Sequence, residues 1–154
     1  MGIIIDTSIL IDFERGFIDI TPHIKGREQE EFYISVITAS ELLHGVFRAK
    51  DLDIRSRRSA FVEGILEQFS IIPTDLTTAR IHSQLWADLE SQGIMIGLHD
   101  LWLAAACISR GYTLVTGNLR EFERVPGLEI ECWAAKNETF ETARKTKSNS
   151  NNQL

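Results

Sequence analysis

The stretch HDLWLAAACISRGYTLVTGNLREF, residues 99–122, decides the fold. From Leu101 to Ile108 it is apolar nearly all round, which suits a helix packed on every side rather than one lying at a surface. Gly111 supplies the expected C-terminal stop, and Thr113–Thr116 (TLVT) reads as a short β-branched strand. A buried helix passing through a glycine into a buried strand is one step of a parallel α/β sheet with helices on both faces. Working outward, Leu128–Trp133 (LEIECW) is the next strand. Gly2–Ile5 (GIII) is the first strand, Phe32–Ile37 (FYISVI) the second, and Ile71–Ile72 before Pro73 a short third. Helical spacing fills the gaps: Thr7 to about Arg15, Ala39 to about Lys50, Arg55–Phe69 through Phe61, Val62 and Ile65, and Thr77–Ser91 through Ile81, Leu85 and Leu89. The expectation is one α/β domain over residues 1–135, with a central parallel sheet of about five strands flanked by helices.

The composition agrees with that class. The chain has 154 residues, 44% hydrophobic and 25% charged, enough for a core without disulfide or metal staples. Its two cysteines, Cys107 and Cys132, stand in no zinc-ligand or CxxC spacing. MGIIIDTSIL has no basic segment of a secretory signal, and the longest apolar run, Leu101–Ile108, is too short for a bilayer. A soluble, cytoplasmic protein is expected. Residues 136–154 are polar and are expected to form a disordered tail; they carry +2 of a total −6, leaving −8 on the body. An acidic body argues against non-specific nucleic-acid binding, which relies on Lys and Arg against phosphates. It does not exclude a nuclease whose acids hold metal ions.

The acids themselves fall in a pattern. Asp6 follows the first strand, Glu41 lies early in the helix after the second, Asp100 opens the buried helix, and Glu121 follows the TLVT strand. In open parallel sheets, ligands bind outside the carboxyl ends of strands, where strand order reverses. Each acid also has a plainer reading as a helix cap, with Thr38 and Glu41 forming a Thr-x-x-Glu capping box and Asp100 an N-cap. Asp100 reaches the shared edge only if its helix runs back across the sheet, which spacing leaves open. If the four converge, they raise one another's pKa values. An all-oxygen cluster of that kind suits Mg²⁺ or Mn²⁺, ions that work on phosphates. Without these four acids the formal charge would be −2 rather than −6.

Three segments together resemble a known family: DTSILIDFERG from Asp6, SELLHG around Glu41, and HDLWLAAACISRGYTLVTGNLREFERVPGLEIECW from His99 to Trp133. They are similar to the PIN-domain ribonucleases, and more closely to the VapC toxins of bacterial type II toxin–antitoxin pairs. The likeness runs from Gly2 to Trp133 and implies a PIN-like fold. It implies that Asp6, Glu41, Asp100 and Glu121 are the catalytic, metal-binding acids, holding Mg²⁺ (or Mn²⁺). Glu121 stands where many members have Asp. Ser8, Thr116 and Asn118 match small polar positions that orient those carboxylates, although ordinary capping explains Ser8 equally well. The family implies an endoribonuclease acting on a structured RNA such as a tRNA; the VTGNLREFERVPGL ending resembles members that cut initiator tRNA. It also implies a VapB-type antitoxin partner and a homodimer.

Other classes compete less well. A housekeeping RNA-processing PIN nuclease would carry the same acids, and a non-catalytic binding module would have lost some, whereas none is lost. A phosphoacceptor domain fails because the first strand ends Asp-Thr-Ser, and no lysine follows the fourth strand. Arg48, Lys50, Arg55, Arg57 and Arg58, offset by Asp51 and Asp53, make a local +3. The ordinary reading is a solvated turn; RNA contact through Arg57 and Arg58 is the functional alternative. His23, His44, His82 and His99 are assigned no role, the first three being expected at the surface or on a helix face. Trp86, Trp102 and Trp133 are expected in the core or an interface, Cys107 in the core, and Asp75 as a helix cap.

Overall fold

The computed structural model describes residues 1–133. The chain runs β1 (Gly2–Ile5), α1 (Thr7–Glu14), α2 (Thr21–Ile24), β2 (Glu31–Ser35), α3 (Val36–Arg48), α4 (Leu52–Gln68), β3 (Ser70–Ile72), α5 (Leu76–Ser91), α6 (Leu98–Arg110), β4 (Thr113–Thr116), α7 (Leu119–Phe122) and β5 (Ile130–Cys132). All four strand pairings are parallel, in the order β3-β2-β1-β4-β5. The expected five-stranded parallel sheet is present. The polar tail expected over residues 136–154 lies outside the described residues.

Strand periodicity sorts the core into two layers. Ile3, Ile5, Ile34 and Val115 face one side, against Ile9 and Leu10 of α1, Leu42 and Val46 of α3, and Val62 and Ile65 of α4. Ile4, Leu114 and Ile72 face the other, against Leu85 and Leu89 of α5 and Leu101, Leu103 and Ala104 of α6. In β1 every residue is buried, so its GIII reads as a continuous apolar run rather than an alternation. Helix α6 buries Ala104, Ala105 and Cys107 completely; small side chains let its backbone lie close to its neighbours. Gly111 ends it at φ +65°, the left-handed conformation expected of that stop.

Sequence and structure part at several boundaries. The second strand stops at Ser35, and Val36 and Ile37 begin α3 instead. The Ser35 hydroxyl accepts the Thr38 N–H at 3.0 Å, and this cap outweighs the β-branched character of the following two residues. Thr38 and Glu41 therefore form no capping box. The helix expected from Arg55 begins at Leu52, because Asp51 accepts from Ile54 N at 2.9 Å. Asp75 caps α5 as expected, accepting from both the N–H and the hydroxyl of Thr78 at 2.8 Å. Of the two places expected for His82, it takes a helix face, on α5, and not the surface. It is buried with its ring stacked on Trp102, centroids 3.7 Å apart, and burial lowers its pKa. Trp133 is buried, with its indole N–H donating to Glu131 at 2.7 Å, while Trp86 is 54% exposed.

The packing of α6 generates a direct expectation. Ala105→Leu adds bulk to a fully buried face that has no room for it, and should cost about 1–3 kcal/mol. Thermal melting should show a drop of several degrees; an unchanged midpoint would mean that the helix is not held against its neighbours as described.

Candidate active site

Strand order reverses between β1 and β4, whose successors cross to opposite edges of the sheet. Asp6 and Thr116 stand side by side at that point, one just beyond the end of β1, the other the last residue of β4. Asp6 occupies the N-cap position of α1 with extended backbone, yet its side chain makes no capping bond. Its Oδ2 instead accepts from the Ser8 hydroxyl at 2.7 Å and the Thr116 hydroxyl at 2.8 Å. The two hydroxyls are themselves oriented by backbone N–H groups: Gly117 donates to Ser8 Oγ at 3.1 Å, and Asn118 to Thr116 Oγ1 at 2.9 Å. Each relay thus runs in one direction, from N–H to hydroxyl to carboxylate. Asn118 serves through its backbone, and its side chain makes no capping bond.

Glu41 sits in the second turn of α3, beyond the capping region. Its Oε1 accepts from the Thr7 hydroxyl at 2.8 Å, and its Oε2 lies 3.5 Å from His99 Nδ1. The sequence reading misses Thr7, which looks like an ordinary first residue of a helix. Its position directly after Asp6 is the available signal. His99, assigned no role from sequence, is 60% exposed at the rim beside Glu41.

Asp100 is not an N-cap. The cap of α6 is Gly97, and Asp100 lies in the first turn, where the positive end of the helix favours a carboxylate. Helix α6 does bring its N-terminus to the shared edge: the Gly97 N–H donates to Glu121 Oε1 at 3.0 Å, which ties α7 to the start of α6. A side chain at Gly97 would place its Cβ 3.1 Å from Asp100 Oδ2, so glycine there leaves the carboxylate its space. Glu121 is further engaged by Arg124 at 2.5 Å.

The electrostatics express this convergence. Burial, then the charges of Asp6, Glu121 and Glu41, push the Asp100 carboxyl up to about 6. Burial also raises Asp6, although the Ser8 and Thr116 hydroxyls act against it. The other three acids expected from the sequence therefore all act on one carboxyl group, Asp100. The donor set is wholly oxygen and its charges repel one another, chemistry that fits a hard divalent cation. Among the described residues, no group of three or more His, Cys, Asp or Glu stands gathered to hold a metal ion.

The two arginines read as RNA contacts behave differently from each other. Arg58 is half-buried and pinned, its Nη1 donating to the Gly45 carbonyl at 3.0 Å and its Nε lying 3.4 Å from Glu14. Arg57 is exposed beside it. Arg55 is spent on the end of α3, donating to the carbonyls of Ala49 and Phe47 at 2.9 and 3.1 Å.

Comparison with known proteins places this geometry. The PIN domain family matches residues 3–128. Ribonuclease VapC1 of Rickettsia felis is 38% identical over 130 residues, covering 84% of this chain and 95% of that protein. The tRNA(fMet)-specific endonuclease VapC of Salmonella typhimurium is 41% identical over 101 residues, 65% of this chain and 74% of the relative. Among solved structures, DNA-bound VapBC from Salmonella typhimurium superimposes with a TM-score of 0.79 at 31% identity, over 87% of this chain and 99% of the other.

The raised carboxyl has a consequence for stability. The folded pKa of Asp100, about 6, exceeds the ordinary 3.8. Between those values the folded protein holds a proton that the unfolded chain has released, so this group makes stability fall as pH rises from about 4 to 6. In EDTA, Asp100→Asn should flatten that dependence and match or exceed the native protein's stability above pH 7. Denaturant titrations across pH check this, and an unchanged slope would refute the crowding of charge on Asp100.

Proposed function

Since this chain belongs to the PIN-domain family, and within it to the VapC ribonuclease toxins of toxin–antitoxin pairs, we propose that it is a metal-dependent endoribonuclease that hydrolyses a tRNA, initiator tRNA being the first candidate. The observation that carries this reading is the meeting of Asp6, Glu41, Asp100 and Glu121 at the β1–β4 switch point, registered in the raised pKa of Asp100. Asp6 and Asp100 are the proposed direct holders of Mg²⁺ (or Mn²⁺), with Glu41 and Glu121 acting directly or through water. Once bound, the ion would supply Lewis acidity toward the phosphate and lower the pKa of water.

The protein's own residues prepare that chemistry. Ser8 and Thr116 load one oxygen of Asp6 and so set the direction of its carboxylate. Thr7 holds Glu41 toward the same edge. Glu121, engaged by Gly97 N–H and Arg124, keeps the N-terminus of α6 and therefore Asp100 in place. The initiator-tRNA assignment draws on the Salmonella relative, whose name states that specificity. A VapB-type antitoxin as the neutralising partner, and a homodimer as the working form, complete the proposal; the solved relative is a VapBC complex.

The test incubates antitoxin-free protein with total bacterial tRNA in Mg²⁺, Mn²⁺ or EDTA. Discrete fragments are expected with either metal and none in EDTA, and sequencing their ends identifies the tRNA. Asp6→Asn should remain folded and cut at least about a hundredfold more slowly, and Thr116→Val should lose about 10–100-fold, the usual effect of removing a partner that orients a metal-holding group. Full activity in pure Asp6→Asn would overturn the assignment.

A further inference from the structure

A cleft of about 100 Å³ opens beside Glu41, between α1, α3 and α4. Its walls include Glu14, Arg15, Glu41, Gly45, Arg48 and Arg58. Glu41, Gly45 and Arg48 lie along one side of α3 at spacings of four and three residues, so the cleft runs from the carboxylate edge along the helix for about 10 Å. Glu41 is thus a wall shared by the cleft and the acidic site.

The charges in this cleft are unevenly satisfied. Glu14 is paired with Arg58, and Glu41 is turned to Thr7 and His99. Arg58 is fixed through the Gly45 carbonyl, and its Cδ lies 3.9 Å from where a Cβ on Gly45 would stand. Arg15 and Arg48 are exposed, and no ion pair or hydrogen bond of their side chains is found among the described residues. Three guanidinium groups, two of them free, stand around a small cleft against the two carboxylates of Glu14 and Glu41, which leaves it positively charged. Guanidinium forks match phosphate geometry in a way that suits bidentate contact. The body of this protein is acidic, so a local excess of arginine next to the carboxylates is the place where a polyanion could be held against that field.

We propose that Arg15, Arg48 and Arg58 form a phosphate subsite for the RNA strand, holding a backbone phosphate that flanks the cleaved bond while the carboxylate edge acts on the bond itself. The proposal rests on the ribonuclease reading above. Arg58 is the preset element, and Arg15 and Arg48 close on the phosphate from the cleft's two rims. Arg57, although neighbouring in sequence, is not among the cleft's walls and has no part in the subsite.

The test measures equilibrium binding of total bacterial tRNA to full-length Asp6→Asn protein, which retains every arginine, as a function of salt. Adding Arg15→Gln or Arg48→Gln should weaken binding several-fold and lower the slope of log affinity against log salt by about one for each phosphate that is no longer neutralised. Arg57→Gln should leave the slope unchanged. In the active protein, Arg48→Gln should raise KM with little change in kcat, as expected when an arginine that binds away from the reacting bond is removed. Unchanged slopes in both cleft variants, or an equal loss in Arg57→Gln, would overturn the subsite while leaving the nuclease reading intact. Loss of binding to the VapB-type antitoxin with tRNA binding preserved would assign the cleft to a protein partner and likewise overturn it. Failure of the Asp6→Asn protein itself to bind tRNA would overturn both readings together.

Discussion

Four carboxylates drawn to one sheet edge repel one another, and the surrounding structure is arranged around that repulsion. Asp6 is met by two hydroxyls, Glu41 by one, and Glu121 by a backbone N–H and an arginine. Asp100 receives no hydrogen bond to its carboxylate among the described residues; burial and the other three charges raise it, with His99 acting against them. The helix N-terminus beneath it offsets part of this cost, and a bound cation would offset the rest.

Such a site needs a rigid frame, since the 2.8 Å hydrogen bond from Thr116 to Asp6 depends on the register between β1 and β4. The two-sided core supplies that register. Ile5 pairs with Val115 and Ile4 with Leu114, and each pair faces its own helical layer. A slip of one residue would exchange those faces, and it would also carry Thr116 away from Asp6. Packing and the geometry around Asp6 thus share one constraint. Outside the sheet, the same α3 that carries Glu41 continues to Arg48, so a single helix links the acidic edge to the cationic cleft.

Much of this was legible in the residues. The buried helix through Leu101–Ile108, the stop at Gly111, the cap at Asp75 and the parallel sheet all follow from local rules acting over a few residues. The readings that failed involve competition between two local rules. Thr38 and Glu41 fit a capping box, but Ser35 caps α3 first and moves Glu41 into its second turn. Asp100 fits an N-cap, but Gly97 takes that place and leaves the carboxylate facing the site. His82 reads as a surface or helix-face residue, and which of the two holds depends on α5 packing against α6, where it stacks on Trp102.

By itself, the sequence determined where the five strands and the longer helices lie, to within a few residues at their ends, and that Asp6, Glu41 and Glu121 come soon after strands. These are consequences of side-chain periodicity and backbone propensity, and they need no partner distant in the chain. Only the tertiary structure decided that Asp100 joins Asp6 across most of the domain's length, that Thr7 rather than Thr38 serves Glu41, and that Arg58 is pinned while Arg48 is free. Each of these is a distance between side chains on different elements. Such distances are set by strand order and helix packing, through the burial of apolar surface over the whole domain, and no local pattern of residues carries them.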